Sequence, residues 1–162
     1  MAATKKKPRA TRRKKAEAGS KGLTPKDMVP ATDSAKALEA QIVEDGGVVI
    51  GSYRDPLGGH SVVLAALPID KVEPTAYQRD RSETHVKKLA NAMERVGRFL
   101  DPVIAVRHDG GKYSSPNGNH RLGAMKLIGA KSIVALVLPD KEVEFNILAG
   151  QRATADIKVG ND

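Results

Sequence analysis

The sequence predicts a single α/β domain of the α+β kind, in which a small mixed β-sheet is flanked by helices. Short apolar segments rich in valine and isoleucine, at residues 103–106 and 133–137, predict buried strands. They alternate with segments whose apolar residues recur at helical spacing, an order typical of sheets covered by helices. A chain of 162 residues is long enough for one such domain once a tail is set aside, and too short to expect two.

The first predicted elements are a helix and a β-hairpin. A helix is expected over residues 35–44, because Asp33 can cap its start and Gly46 can follow its end. Residues 48–50 and 61–64 are rich in β-branched side chains. The loop between them contains proline and glycine, so the pair is typical of a hairpin with a long connection.

The clearest helix in the sequence lies between Ser82, which can cap it, and Gly97, which can end it. Its apolar residues recur at the spacing of one helix face, at Val86, Leu89, Ala90, Met93 and Val96. The strand at 103–106 follows, and a Gly-Gly turn then leads into a second extended segment at 112–115.

Residues 118–121, with the sequence Gly-Asn-His-Arg, open an apolar helix that continues over 122–128. The N–H groups and the dipole at a helix start attract anions, and Gly118 lets an anion approach the backbone closely. His120 and Arg121 add side-chain donors, since a guanidinium can hold two phosphate oxygens at once. The segment is therefore a candidate phosphate cradle. A simpler explanation stays open, in which an asparagine beside Gly118 caps the helix and both donors are solvated.

The remaining elements complete the predicted domain. A strand is expected at 133–137, and Asp140 can cap a last helix over 142–149. We expect three regions, namely a basic tail and linker at 1–32, one domain at 33–152 and a C-terminal tail at 153–162.

Positive charge is concentrated at the N-terminus. The net charge is +8, but residues 1–26 contain ten lysines and arginines and one acid, a net of +9. The rest of the chain contains 17 basic and 18 acidic side chains, a net of −1. The tail lacks apolar periodicity and cannot order itself by burial. It is predicted to bind DNA without sequence preference and in a salt-sensitive way, through Lys5, Lys6, Lys7, Arg9, Arg12, Arg13, Lys14 and Lys15. A merely solubilising tail is the alternative.

The composition excludes several classes of protein. The chain has no cysteine, and therefore no disulfide, thiolate metal site or cysteine nucleophile. Its four histidines are scattered without ligand spacing, so no metal site is predicted. No apolar segment is long enough to cross a membrane, and no apolar signal region follows the basic N-terminus. The expected protein is soluble and cytoplasmic, with association with the nucleoid as a further possibility.

A series of short motifs falls along the chain in a recognisable order. They are Leu67-Pro68-Ile69-Asp70-Lys71-Val72, Gln78-Arg79, Lys88-Leu89-Ala90-Asn91-Ala92-Met93, Gly97, Asp101-Pro102-Val103, Gly111-Lys112-Tyr113, Gly118-Asn119-His120-Arg121-Leu122-Gly123-Ala124, Gly129 and the strand at 133–137. Over about residues 61–152 this order resembles the N-terminal domain of ParB-type chromosome and plasmid partitioning proteins, in the superfamily shared with sulfiredoxin.

The resemblance implies a set of nucleotide contacts, which are Gly118, Asn119, His120 and Arg121, with Gln78 and Arg79 from a first motif and Gln151 and Arg152 from a third. In ParB proteins the nucleotide is CTP with a magnesium ion, and its binding closes a clamp on DNA. In sulfiredoxin the equivalent loop positions the phosphates of ATP, and a free-serine kinase branch uses the fold for phosphoryl transfer. The resemblance therefore implies CTP or ATP as the ligand.

Departures from the family pattern limit what the resemblance implies. Sulfiredoxin requires a cysteine where this chain has Asn119, which excludes sulfiredoxin activity. ParB proteins usually have Gly-Glu-Arg-Arg at 118–121, and a glutamate and an asparagine where this chain has Leu148 and Ala149. Without those polar groups a magnesium ion lacks its protein carboxylate, which argues against magnesium-dependent CTP hydrolysis. The helix-turn-helix region of full-length ParB has no counterpart in this sequence.

The predicted function is that of a ParB-like nucleotide-binding protein associated with DNA, in partitioning or as part of a DNA clamp. One alternative is a ParB-like nuclease or a small-molecule phosphotransferase, with Asp70, Glu73, Asp101 and His120 as candidate acid–base groups. Another is a non-catalytic adaptor that binds a protein partner. Enzyme activity, the role of magnesium and the oligomeric state, including a homodimer, stay open.

Overall fold

The computed structural model describes residues 23–29, 33–57, 59–76 and 82–139. The helices of this part of the chain are α1 (Asp33–Glu44), α2 (Glu83–Val96) and α3 (Asn119–Ile128). Its strands are β1 (Val48–Arg54), β2 (Ser61–Pro68), β3 (Val72–Pro74), β4 (Val103–His108), β5 (Lys112–Ser115) and β6 (Ser132–Leu138). Two short 3-10 turns lie at Pro25–Met28 and Ile69–Lys71.

Across the described residues the strands form one mixed sheet of six strands, in the order β1-β2-β6-β4-β5-β3. β2 pairs antiparallel with β1 and with β6, and β4 pairs antiparallel with β5. The β4–β6 and β3–β5 pairs are parallel. α3 connects β5, the strand next to the edge strand β3, to β6. It therefore begins shortly after the end of β5. The predicted α+β fold, a mixed sheet flanked by helices, is confirmed.

The main core joins the central strands to α1 and α3. Val63, Val103 and Ala135 of the strands are completely buried. Ile42 of α1 and Leu122 of α3 belong to the same cluster. Because burial of such side chains is the main stabilising term in folding, α3 is held firmly by its inner face. Its first turn therefore has a fixed position at the end of β5.

α2 follows the sequence prediction at both ends. Ser82 is its N-cap, and the backbone N–H of His85 donates to the Ser82 hydroxyl at 3.4 Å. Gly97 follows the helix in the left-handed region, with φ at 66°, a conformation that favours glycine. Val96, the last residue of the expected apolar face, is 60% exposed, although it lines a pocket together with Leu89 and Met93. The last turn of α2 extends beyond the surface that covers the earlier turns.

α2 packs on α3 through a second, smaller cluster. Val86 and Ala90 are buried against Ala124, with Leu89 and Met93 partly buried around them. Small side chains at this contact let the two helices approach closely. The starts of both helices consequently lie near one another, which matters for the site.

A buried ionic cluster ties the turn between α1 and β1 to the far part of the sheet. The guanidinium of Arg107 donates to the Asp45 carboxylate at 2.7 and 3.1 Å, and the Tyr113 hydroxyl donates to it at 2.5 Å. Lys71 Nζ donates to the backbone carbonyl of Asp45 at 2.6 Å. The bonds from Arg107 hold the pKa of Asp45 below its ordinary value against the opposing effect of burial, and Tyr113 adds to the lowering. Burial, followed by the bond to Asp45, raises the pKa of Tyr113.

Several sequence predictions lie outside the described residues. These are the basic tail up to residue 22, residues 30–32 of the linker, Gln78 and Arg79, the helix at 142–149, Gln151 and Arg152, and the C-terminal tail at 153–162. Within the described residues, no helix is both long and apolar enough to cross a membrane.

Candidate functional site

The loop before α3 is held by a side chain of its own. Asn117 Oδ1 accepts a hydrogen bond from the backbone N–H of Ile104 at 2.9 Å, which ties the loop to β4. The residue at the N-cap of α3 is Gly118, and no side-chain cap bond is present there in the described structure. The N-cap residue is therefore not an asparagine, which differs from the simpler explanation that the sequence offers. Asn117 instead fixes where the helix starts.

Gly118 is required by packing rather than by a special backbone conformation. Its φ is −113° and its ψ is 20°, which lies outside the left-handed region that favours glycine. A Cβ at this position would lie 2.4 Å from Val103 Cγ1 and 2.8 Å from Ser115 Oγ. Such distances are far below ordinary contact, so any larger side chain would force its neighbours to shift. The glycine thus allows the helix start to lie directly on β4 and β5.

The first turn of α3 has the electrostatic character of an anion site. The backbone N–H of Leu122 donates to the Gly118 carbonyl at 2.8 Å, which closes the first helical bond. The N–H groups before it have no carbonyl one turn earlier in the helix to accept them. Together with the helix dipole, they give this end a partial positive charge.

Arg121 makes contacts that the sequence did not predict. Its Nη1 donates to the backbone carbonyls of Asp101 at 2.8 Å and Pro102 at 3.0 Å, and its Nη2 donates to that of Asn117 at 3.2 Å. Nη1 also lies 2.8 Å from Asp101 Oδ1. In this structure the guanidinium therefore joins the loop before β4 to the start of α3. Arg121 stays a predicted phosphate contact, but such a contact would compete with these bonds.

The structure brings His120 next to a residue that the sequence analysis did not connect with it. The ring centroids of His120, in the first turn of α3, and His85, in the first turn of α2, are 5.7 Å apart, with an angle of 80° between the ring planes. Both residues are exposed. No local spacing indicates this pair, because it depends on the packing of α2 against α3.

An apolar pocket lies beside Arg121. It has a volume of about 240 Å³, and its walls include Leu89 and Met93 of α2 together with Phe99 and Leu100 of the loop that follows. Leu100 is 73% exposed, so the pocket opens to solvent. The space is adjacent to the start of α3 and could receive the apolar part of a ligand whose charged part lies at the helix start.

The candidate acid–base groups other than His120 do not converge on the helix start as a catalytic set. Asp101 pairs with Arg121, and Glu73 pairs with Lys126 at 3.1 Å. Asp70 lies exposed in the 3-10 turn at Ile69–Lys71. Among the described residues, no group of three or more histidines and acidic side chains could hold a metal ion. The geometry here favours binding over acid–base catalysis.

Comparison with known families gives one assignment. Residues 54–150 match the family described as the ParB N-terminal domain. That range is more than half of the 162 residues, and the chain therefore belongs to this family. The resemblance inferred from the motifs is confirmed. α1 and most of β1 precede the matched range. A comparison with curated proteins finds no match.

Solved structures resemble the chain at low identity. The C-terminally truncated chromosome-partitioning protein ParB from Caulobacter crescentus, complexed with CTP-γ-S, is 20% identical with a TM-score of 0.45, over 52% of this chain and 47% of that one. Sulfiredoxin from Arabidopsis thaliana is 24% identical with a TM-score of 0.44, over 52% and 96%. A free serine kinase in complex with AMP is 20% identical with a TM-score of 0.42, over 46% and 30%. The chain thus spans less than half of the ParB and kinase chains, and these scores carry no functional argument.

Proposed function

We propose that this protein binds the phosphate groups of a nucleotide at the start of α3 and associates with DNA through its basic tail. The proposal describes a ParB-like, DNA-associated protein of the cytoplasm that acts in partitioning or in a DNA clamp. The observation that carries it is the start of α3. A helix of ten residues begins there at a glycine, which has no side chain of its own at the cap position, in a domain of the ParB N-terminal family.

The expected phosphate contacts are backbone N–H groups together with the side chains of Asn119 and His120. Gly118 supports them indirectly, because its lack of a side chain lets the helix start lie on the sheet. Arg121 fixes the neighbouring loop through three backbone carbonyls and contacts a phosphate if those bonds rearrange. Gln78, Arg79, Gln151 and Arg152 remain predicted contacts on the strength of the family resemblance.

The nucleotide is proposed to be CTP or ATP. These are the two nucleotides that the resemblance of the sequence motifs implies. The apolar pocket beside Arg121 offers a place for the base, since it adjoins the helix start that would hold the phosphates. The residues Leu148 and Ala149 replace the polar groups that would hold magnesium in a ParB protein, so we expect binding without hydrolysis.

Calorimetric titration of the full chain with CTP, ATP, GTP and UTP, each with and without magnesium, tests nucleotide binding. We expect saturable binding of CTP or ATP, and weakening by about tenfold or more in His120→Ala, because a hydrogen bond to a charged group contributes about 1.5–3 kcal/mol. His60→Ala is the matched control, since His60 is an exposed histidine on the loop before β2. Absence of saturable binding for all four nucleotides contradicts the proposal.

DNA association is tested separately in the full chain, by replacing with glutamine the eight tail cations between Lys5 and Lys15. Duplex binding should then be nearly lost. For the unaltered chain, a plot of log affinity against log salt should have a slope of up to about −7 if all eight cations pair with phosphates. Lys87→Gln with Lys88→Gln, on the exposed side of α2, is the control. Equal affinity for DNA before and after neutralisation of the tail would show that DNA binds elsewhere on the protein. No binding of DNA by the unaltered chain would contradict the proposal altogether.

A further inference from the structure

We propose that His85 and His120 form a two-imidazole binding site for a divalent cation of the Zn²⁺, Ni²⁺ and Co²⁺ class. The two rings come from different helices and lie edge to face with centroids 5.7 Å apart. Neutral imidazole is a preferred ligand of these borderline cations, whereas magnesium and calcium prefer oxygen. The site requires no nucleotide, but it shares the His120 side chain with the phosphate contacts proposed above.

The spacing of the rings is close to that of a shared metal. Two imidazoles that bind one zinc ion at the usual Zn–N distance of about 2.0–2.1 Å, with a tetrahedral angle between them, have ring centroids roughly 5 Å apart. The observed 5.7 Å exceeds this by only a fraction of an ångström. To bind one ion, the two rings must rotate from their edge-to-face arrangement until one nitrogen of each ring points at the ion. Both side chains are exposed, so this rotation of the rings displaces no side chain of the core.

The backbone that carries the two rings is fixed on both sides. Val86, next to His85, is buried against Ala124 of α3. Ser82 caps the turn that bears His85, while Leu122, two residues after His120, is buried in the main core. The two imidazoles therefore lose little backbone freedom when they take up a metal, which favours chelation over binding by a single ring. Water completes the coordination of the ion in this two-ligand site.

Titration of the full chain with ZnCl₂, after removal of any polyhistidine tag, tests the site. We expect saturable binding that both His85→Ala and His120→Ala weaken by at least about tenfold, since loss of even an outer-shell partner of a metal-bound histidine costs about 10–100-fold in affinity. His60→Ala should bind zinc like the unaltered chain. In NMR spectra, zinc should shift the ring resonances of His85 and His120 together and leave those of His60 in place.

Each other outcome overturns the proposal. Three outcomes would show that the two imidazoles do not share a metal. They are zinc binding that does not saturate, zinc binding that neither single variant weakens, and zinc binding that only one of the two variants weakens. Thermal melting of each variant excludes unfolding as the cause, and His85→Gln with His120→Gln provides a second pair that keeps a polar side chain. Inorganic phosphate is titrated in parallel. If the histidine variants weaken phosphate binding while zinc does not saturate, the pair is an anion site and the metal site is wrong.

Discussion

Asp45→Asn provides a quantitative test of how the turn between α1 and β1 is held to the sheet. The Asp45 side chain is only 7% exposed, and its carboxylate receives two bonds from Arg107 and one from Tyr113. Asparagine has nearly the same shape but carries no charge. One of its terminal groups is an NH₂ donor, which would face groups that also donate.

The expected loss of stability follows from these contacts. Removing one partner of a buried ion pair costs about 3–5 kcal/mol, because the other charge stays buried without compensation. Arg107 retains 18% exposure of its side chain, so water can solvate it in part, and we expect the lower limit, about 3 kcal/mol. At about 4 °C per kcal/mol for a domain of this size, the melting temperature should fall by about 12 °C.

The stability contribution of Asp45 should also depend on pH. Its pKa in the folded protein is lowered, chiefly by Arg107, so the folded state prefers the ionised form. The contribution is therefore fully present above the unfolded pKa of about 3.9 and is lost as pH falls through the lower folded value. The difference in stability between the unaltered chain and Asp45→Asn should be constant above about pH 5 and shrink below about pH 4.

Urea unfolding of the full chain at several pH values measures this difference. Asp70→Asn is the control, because Asp70 is an exposed carboxylate in the 3-10 turn at Ile69–Lys71 and should change stability little. If Asp45→Asn costs no more than Asp70→Asn at neutral pH, the buried cluster does not stabilise the domain. A difference that grows at acid pH would refute the sign of the linkage.

Further variants test the geometry around the start of α3. Gly118→Ala should lower the free energy of unfolding by about 1–3 kcal/mol, because its Cβ would meet Val103 Cγ1 at 2.4 Å. Gly51→Ala is the control and should lower it less, since a Cβ there has no neighbour within 4 Å. Chemical denaturation measures both variants. Arg121→Gln should lower the free energy of unfolding by about 2 kcal/mol, because its bonds to backbone carbonyls are lost. It should also speed amide hydrogen exchange at Asp101 and its neighbours. An unchanged exchange rate would show that the guanidinium does not hold the loop.

Local sequence signals predicted much of the fold. The cap at Ser82, the end of α2 at Gly97 and the apolar strands were predictable, because capping, left-handed glycine and hydrophobic periodicity depend on neighbours in the chain. The exposure of Val96 was not predictable, because helical spacing shows which side of a helix is apolar and not how far the covering surface extends. The buried cluster at Asp45 was not predictable, since it joins the turn after α1 to β4 and β5.

At the candidate site, the sequence indicated the correct segment but not the reason for each residue. Gly118 was interpreted as an approach for an anion, whereas its closest neighbour is the side chain of Val103, a contact across the sheet. Asn117 was a possible cap, yet its side chain bonds to β4. The pairing of His85 with His120 depends on how two helices pack, and no spacing within either helix indicates it.

The most direct test of nucleotide binding at α3 is a ¹H–¹⁵N NMR titration of the full chain with CTP and with ATP. The account predicts that one of them shifts the amide resonances of residues 118–121 progressively to saturation, because those N–H groups receive the phosphate. Amides of β1, at the far edge of the sheet, should not move. Shifts confined to the basic tail, or no saturable shift at 118–121 with either nucleotide, would contradict the account.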